Sequence, residues 1–141
     1  MAKFNSFEEI KAWQKAYEMT LEIYQITASG DFCKDFGLKD QIRRASVSVM
    51  ANIAEGHGRR TNSEFANFLN QARGSAAEVQ SHLHIAVGLK YIEKSQFEKL
   101  YDSLAEISKM TLSLAKYLRG NDNSRQHGNS VTSRLRNSET L

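Results

Sequence analysis

No proline occurs in the 141 residues of this chain. Proline breaks helices and is common in turns and loops, so its absence favours a fold built from helices joined by short links. The apolar residues agree with this, because they recur at alternating steps of three and four, which is the spacing of one helical face. The sequence therefore predicts an all-α protein.

Four long helices are predicted, at about 7–28, 37–55, 61–91 and 95–120. A Ser or Thr followed three residues later by Glu is typical of a helix N-terminus, and three such pairs occur: Ser6 with Glu9, Thr61 with Glu64 and Ser95 with Glu98. Glycines mark helix ends, at Gly30 after the first helix and at Gly56 and Gly58 after the second. The links between the second and third helices and between the third and fourth helices are short, so neighbouring helices must run antiparallel. This predicts an up-down four-helix bundle.

The first helix carries an apolar stripe that we expect to face the core: Ile10, Trp13, Tyr17, Leu21 and Tyr24. Apolar residues make up 40% of the chain and charged residues 25%, a balance typical of a globular protein. After the fourth helix the sequence becomes polar and too poor in aliphatic residues to form a core. We predict a single domain at 1–119 and a disordered polar tail at 120–141.

The sequence also predicts the cellular location. No segment approaches the roughly 20 consecutive apolar residues of a transmembrane helix, so we expect no membrane association. The chain has one cysteine, Cys33, in a predicted connection, and its start lacks the apolar stretch of a secretory signal. The single cysteine and the lack of a secretory signal favour a reducing cytoplasm.

The second helix contains an uncharged stretch at 45–54, nearly three turns long. An amphipathic helix in a monomer is expected to show a polar face, whereas an uncharged face rich in small residues suits close contact with another subunit. The residues left over after the core is formed are predicted to lie in an oligomer interface: Val47, Met50, Ala51 and Ala54. The alternative is that this helix is the most buried of the four.

Positive charge is concentrated between residues 38 and 75, which carry six basic and three acidic residues and thus the whole net charge of +3. The basic residues are Lys39, Arg43, Arg44, Arg59, Arg60 and Arg73. Arginine is suited to bidentate phosphate contact, so these side chains are predicted to form a basic stripe that binds nucleic acid. The alternative is that they pair with carboxylates or lie in solvent at a turn.

No motif for catalysis is present. The phosphate-loop, dinucleotide, zinc-protease and nucleophile-elbow patterns are missing, as is the Glu-x-x-His spacing of di-metal bundles. Glu78 and His82 are four residues apart, and His82 and His84 lie on different helix faces. We therefore expect no enzyme activity, no metal site and no cofactor.

Three segments resemble a known family, the small bacterial four-helix-bundle proteins called 23S ribosomal RNA intervening-sequence proteins. They are FEEIKAWQKAYEMTLEIYQIT at 7–27, QIRRASVSVMANIAEGHGR at 41–59 and SEFANFLNQARGSAAEVQSHL at 63–83. The resemblance covers about residues 4–119 and departs at Phe32-Cys33, where the family usually has Phe-Pro. It implies a ring-forming homopentamer with the second helix at the subunit contacts. It also implies a likeness in fold to the accessory variability protein of diversity-generating retroelements, a basic pentamer that binds a reverse transcriptase and nucleic acid.

Two functional hypotheses are compatible with these patterns. The first is a non-enzymatic homo-oligomer that binds RNA or other nucleic acid through arginines of the second and third helices. The alternative is a protein-interaction scaffold that recruits a partner protein, for example a reverse transcriptase, without touching nucleic acid itself. Similarity of fold does not transfer activity, so the residues at each surface must decide between them.

Overall fold

The computed structural model describes residues 3–126, with side chains to Asn121. A short 3₁₀ helix at Phe7–Glu9 precedes five α-helices, and the described residues contain no strand. The α-helices are α1 Lys11–Ile26, α2 Gly30–Lys34, α3 Phe36–His57, α4 Asn62–Gly88 and α5 Lys94–Gln126. The predicted all-α class is confirmed.

The four long helices pack as a bundle around one apolar core. The packed pairs are α1 with α3, α3 with α4, α4 with α5, and α5 with α1. Contacting residues follow opposite orders along each pair: on α4 and α5, Asn67 meets Arg119 and Gln80 meets Tyr101. Every long helix contributes fully buried side chains to this core. In the described part of the chain, no helix combines the length and hydropathy that a membrane span requires.

The core face of α1 differs from the predicted one. Ala12, Ala16, Met19 and Ile23 are buried, whereas the stripe expected in the core turns outward after Ile10: Tyr17, Leu21 and Tyr24 are 44%, 46% and 40% exposed. Both sets satisfy helical spacing, and a shift of one position rotates the buried face by about 100°. The prediction was wrong because it followed the large aromatic residues, whereas α1 lies against its neighbours through two alanines together with Met19 and Ile23.

The start of the first helix also differs. Ser6 forms no side-chain cap, and the Glu9 carboxylate instead accepts a hydrogen bond from the Asn5 N–H at 3.1 Å. Ile10 is extended, so the α-helix begins only at Lys11. The predicted capping box of Ser6 with Glu9 is therefore wrong.

The other two predicted capping boxes have different outcomes. Thr61 and Glu64 form both halves of the box, as predicted. At α5 the Glu93 N–H donates to the Gln96 side chain at 2.8 Å, and the helix begins at Lys94, so the box predicted at Ser95 is wrong.

The link between α1 and α3 is structured. Gly30 has φ +68, which confirms its left-handed conformation, and Cys33 lies in α2 and not in an irregular connection. The Asp35 carboxylate accepts the Leu38 N–H at 3.1 Å and the Tyr91 hydroxyl at 2.9 Å. Donation to a carboxylate favours the neutral phenol, so this bond raises the pKa of Tyr91. The start of α3 is thereby fixed to the end of α4.

Gly56 allows α3 and α4 to approach closely. The helix passes through Gly56 to His57, two residues beyond the predicted end, and Gly58 follows with a right-handed φ of −80. A Cβ on Gly56 would lie 2.8 Å from both Phe65 Cδ1 and Phe68 Cβ. The glycine is therefore required by packing between two helices and does not end the first of them.

Helix α5 continues through Gly120 to Gln126, past the predicted boundary between bundle and tail. Gly120 is buried within it. A single glycine lowers helix stability by only about 1 kcal/mol, which the surrounding turns can offset. The rest of the predicted tail, 127–141, lies outside the described residues.

Replacing Gly56 with Ala is expected to lower the free energy of unfolding by about 1–3 kcal/mol, because the added methyl group displaces Phe65 and Phe68. Urea denaturation followed by circular dichroism measures this. Gly74→Ala is the matched control, since a methyl group at that position would meet nothing within 4 Å, and it should raise stability by about 0.5–1 kcal/mol. Equal stabilisation by both substitutions would contradict the close-approach explanation.

Candidate subunit and nucleic-acid interfaces

An apolar face lies along α1 and α3. On α1 it contains Trp13, Tyr17, Leu21 and Tyr24, and on α3 it contains Val47, Met50, Ala51 and Ala54. The rings of Trp13 and Tyr17 stack at 5.4 Å with 4° between their planes. Tyr24 and Val47 line one shallow groove. We call these eight residues the apolar face.

The two halves of the apolar face are brought together by helix register. Arg43 on α3 contacts Tyr24 on α1, with its guanidinium carbon 4.3 Å from the ring centroid. Tyr17 lies seven residues before Tyr24, and Met50 lies seven after Arg43. Seven residues make about two turns, so in helices of opposite direction these two residues extend the same seam.

The predicted interface residues differ in exposure. Val47 is 41% exposed, whereas Met50, Ala51 and Ala54 are half-buried and Met50 also packs on the core. No described contact tests their role in self-association, which stays a prediction. The aromatic half on α1 was missed, because its spacing was assigned to the core.

Arg43 is held firmly on the end of α1. Its Nε donates to Thr27 Oγ1 at 2.8 Å and its Nη2 to the Tyr24 carbonyl at 3.2 Å. A cation at a helix C-terminus is favourable because the carbonyls there carry partial negative charge. These acceptors are neutral, so they orient the guanidinium without cancelling its charge.

Other predicted cations are paired with acids on their own helix. Arg44 lies 2.9 Å from Asp40, and Arg59 lies 3.4 Å from Glu55. Both pairs are exposed, where ion pairs add little to stability but reduce local charge.

The two remaining predicted cations, Lys39 and Arg60, lie near the start of α3 and just after its end. Arg60 is exposed in the turn before α4. The Lys39 ammonium lies 5.2 Å from the centroid of the Phe36 ring and 3.9 Å from Cys33 Sγ.

Arg73 does not join the arginines of α3. The Ser48 and Ser75 hydroxyls are hydrogen-bonded at 2.9 Å, which places Arg73 level with Met50 and about 9 Å along the axis from Arg44. Its side chain lies toward α5, away from α1. Arg44 and Arg73, which the hairpin lengths predict at similar height in a discontinuous stripe, therefore lie in separate groups on different sides of the bundle.

A second cationic surface lies between α4 and α5. This α4–α5 groove has a volume of about 380 Å³ and is lined by Asn70, Arg73, Leu112, Lys116 and Arg119. The charge pattern of the sequence did not indicate Lys116 and Arg119, because the excess of basic residues ends at residue 75. Only the packing of α5 on α4 brings these cations to Arg73.

The histidines make structural contacts. His82 Nε2 lies 3.5 Å from the Glu78 carboxylate. The His84 ring packs edge-on against Phe97 and Tyr101, at 5.0 and 5.6 Å between centroids. Among the side chains of residues 3–121, no three His, Cys, Asp or Glu gather as a metal site would require.

Comparison with known proteins identifies the family. Residues 8–113 match the family described as 23S rRNA-intervening sequence protein. The chain belongs to this family. The family assignment expected from the three resembling segments is thus confirmed, and it rests on most of the bundle.

A solved structure similar to this member of the intervening-sequence family comes from Bacteroides thetaiotaomicron. It is a crystal structure of a protein of unknown function from the S23 ribosomal protein family. The two chains share 29% identity and a TM-score of 0.68, over 74% of this chain and 98% of that one. No curated protein matches the chain. The relation to the retroelement accessory protein stays a prediction.

Arg43→Lys is expected to lower the free energy of unfolding by about 1 kcal/mol, because lysine keeps the charge but cannot reproduce both hydrogen bonds to the end of α1. Arg44→Lys, the control, should change it by less than about 0.5 kcal/mol, since that side chain is exposed. Chemical denaturation of both variants measures the difference. Equal effects would show that Arg43 does not fix α1 to α3.

Proposed function

We propose that this intervening-sequence protein is a non-enzymatic homo-oligomer that binds structured RNA or other nucleic acid in the bacterial cytoplasm. The observation that carries the proposal is the position of Arg43: a fixed guanidinium with neutral partners borders an uncovered apolar face. The first feature suits an anionic partner and the second suits self-association. The opposite order of contacts along neighbouring helices supports an up-down four-helix bundle as the repeating unit.

Self-association is supported by the composition of the apolar face. Aromatic residues and methionine are enriched at protein interfaces, and charged residues are depleted at their centres. Here Trp13, Tyr17 and Met50 provide the first property, and the uncharged stretch at 45–54 provides the second. Of the possible arrangements we propose a homopentameric ring, as the resemblance implies. Fivefold repetition would raise the net charge from +3 to about +15 and strengthen binding by avidity.

RNA is the partner favoured among anions, because the family is named for sequences that intervene in 23S rRNA. The proposed contacts of the α3 region are Lys39, Arg43, Arg44, Arg59 and Arg60, and Arg73 contributes from α4. Arg43 is the strongest candidate for phosphate contact among them, because its hydrogen-bond partners are neutral and leave its charge uncompensated. Arg44 and Arg59 would have to exchange their intrahelical carboxylates for phosphates.

A second candidate function is favoured by the aromatic half of the apolar face. Stacked Trp and Tyr side chains are typical of the residues that dominate protein binding energy. A ring of this chain would then recruit a partner protein, such as a reverse transcriptase, without contacting nucleic acid. Co-purification of a protein that persists after nuclease treatment would favour this function over the first.

Light scattering on the purified chain is expected to give a mass near five times 16.0 kDa. The double variant Leu21→Glu with Val47→Glu should shift this mass toward 16.0 kDa, because it places charges in the centre of the apolar face. Ile85→Glu is the control, since Ile85 is equally exposed on α4 but lies outside the face. A monomeric wild type would overturn self-association, and an unchanged mass in the double variant would overturn the choice of face.

Arg43→Gln with Arg44→Gln is expected to weaken binding to a fluorescently labelled RNA hairpin. The slope of log affinity against log salt should fall by roughly one for each phosphate that the variant no longer binds. Lys99→Gln with Lys109→Gln removes the same charge from exposed positions of α5 and should leave the slope nearly unchanged. Fluorescence anisotropy over a salt series makes the comparison. Unchanged affinity and slope in the arginine variant would remove these two residues from the RNA surface.

A further inference from the structure

The α4–α5 groove gathers three cations, and the lining residues that the structure describes include no acidic side chain. Arg73, Lys116 and Arg119 line it together with Asn70 and Leu112. It lies on the opposite side of the bundle from the apolar face, since α1–α3 and α4–α5 are separated by the other two packed pairs. The groove therefore shares no residue with the apolar face.

Among the side chains that the structure describes, the arginines of the groove are oriented by neutral acceptors. Arg119 Nη2 donates to Asn67 Oδ1 at 3.1 Å, and Arg73 Nη1 donates to Asn70 Oδ1 at 3.5 Å. Both acceptors are neutral amides, and the second distance is at the limit of a hydrogen bond. Held in this way, the two planar guanidinium groups suit bidentate contact with an oxyanion.

Arg73 also has an unmet hydrogen-bonding need. Its Nε is buried and has no acceptor among the described residues. A buried donor without a partner is unfavourable, so burial of this group is not explained by the stability of the bundle alone. A phosphate at the mouth of the groove would supply charge and acceptors for this guanidinium group.

Farther along the contact between α4 and α5, the groove is followed by an aromatic cluster. Arg73, Gln80 and His84 recur at helical spacing on the edge of α4 that faces α5. Gln80 Nε2 donates to the Tyr101 carbonyl at 3.3 Å, and the exposed His84 packs against Phe97 and Tyr101. The cationic and aromatic ends are eleven residues, about 16 Å, apart.

A cationic groove joined to aromatic side chains is the combination that binds single-stranded nucleic acid, with phosphates at the cations and bases on the rings. We propose that the α4–α5 groove binds a single-stranded segment of RNA. A backbone phosphate lies at Arg73, Lys116 and Arg119, and a base a few nucleotides farther along the strand lies against His84 and Tyr101. This inference rests on the proposed function in that the partner is RNA, but it uses a different surface from the arginines of α3.

The test measures anisotropy of a fluorescein-labelled oligouridine, which has no duplex structure, with the full chain over a salt series. Arg73→Gln with Arg119→Gln should weaken binding at least about tenfold and lower the salt slope by about 0.7 for each phosphate that is no longer bound. His84→Ala should weaken binding about fivefold without changing the slope, because stacking releases no counterions. Lys99→Gln with Lys109→Gln is the charge-matched control and should behave like wild type.

Each remaining outcome has a definite meaning. Equal losses of affinity in the groove variant and the lysine control would overturn the groove while leaving the proposed function in place. Absence of binding to both oligouridine and the hairpin by wild type would overturn both. Binding of inorganic pyrophosphate without binding of RNA would assign the groove to a small phosphate compound and overturn the RNA assignment. If the double variant fails to fold, judged by circular dichroism, Lys116→Gln is measured in its place.

Discussion

The contact of α3 with α4 at Gly56 sets the arrangement of the surfaces on both sides of the bundle. Because Gly56 has no side chain, Phe65 and Phe68 can lie against the backbone of α3. This approach fixes the register of the two helices, which the Ser48–Ser75 hydrogen bond continues farther along the pair. The register in turn decides which residues of α3 and α4 are level with one another, and it separates Arg73 from the arginines of α3.

The alanines of α1 have a comparable effect on the opposite edge of α3. Ala12 and Ala16 share the buried face of α1 with Met19 and Ile23, and Tyr17, Leu21 and Tyr24 are left exposed. These three side chains thereby join Val47 in one exposed surface, which the half-buried Trp13 and Met50 extend. The bundle thus has an apolar side at α1 and α3 and a cationic side at α4 and α5.

Whether an arginine of this protein can contact a phosphate depends on the partners of its side chain more than on the number of arginines. Arg44 and Arg59 are near carboxylates of their own helix, whereas Arg43, Arg73 and Arg119 are oriented by neutral acceptors. Among the described side chains, the second group therefore offers its charge to a phosphate more readily than the first. The net charge of +3 does not distinguish these two groups of arginines, because it counts both alike.

The sequence by itself determined the helical class, the four long helices and the family. Helical periodicity, the absence of proline and the Thr61–Glu64 capping box are local properties that the fold retains, whereas the boxes predicted at Ser6 and Ser95 are not formed. The buried face of α1 and the full length of α5 were decided by tertiary structure, because packing can favour alanine over larger residues and can carry a helix through Gly120. The same holds for the candidate sites. Arginines at 43, 44 and 73 are visible in the sequence, but whether they meet each other, a carboxylate or Lys116 and Arg119 depends on helix register, which only the close contacts between helices fix.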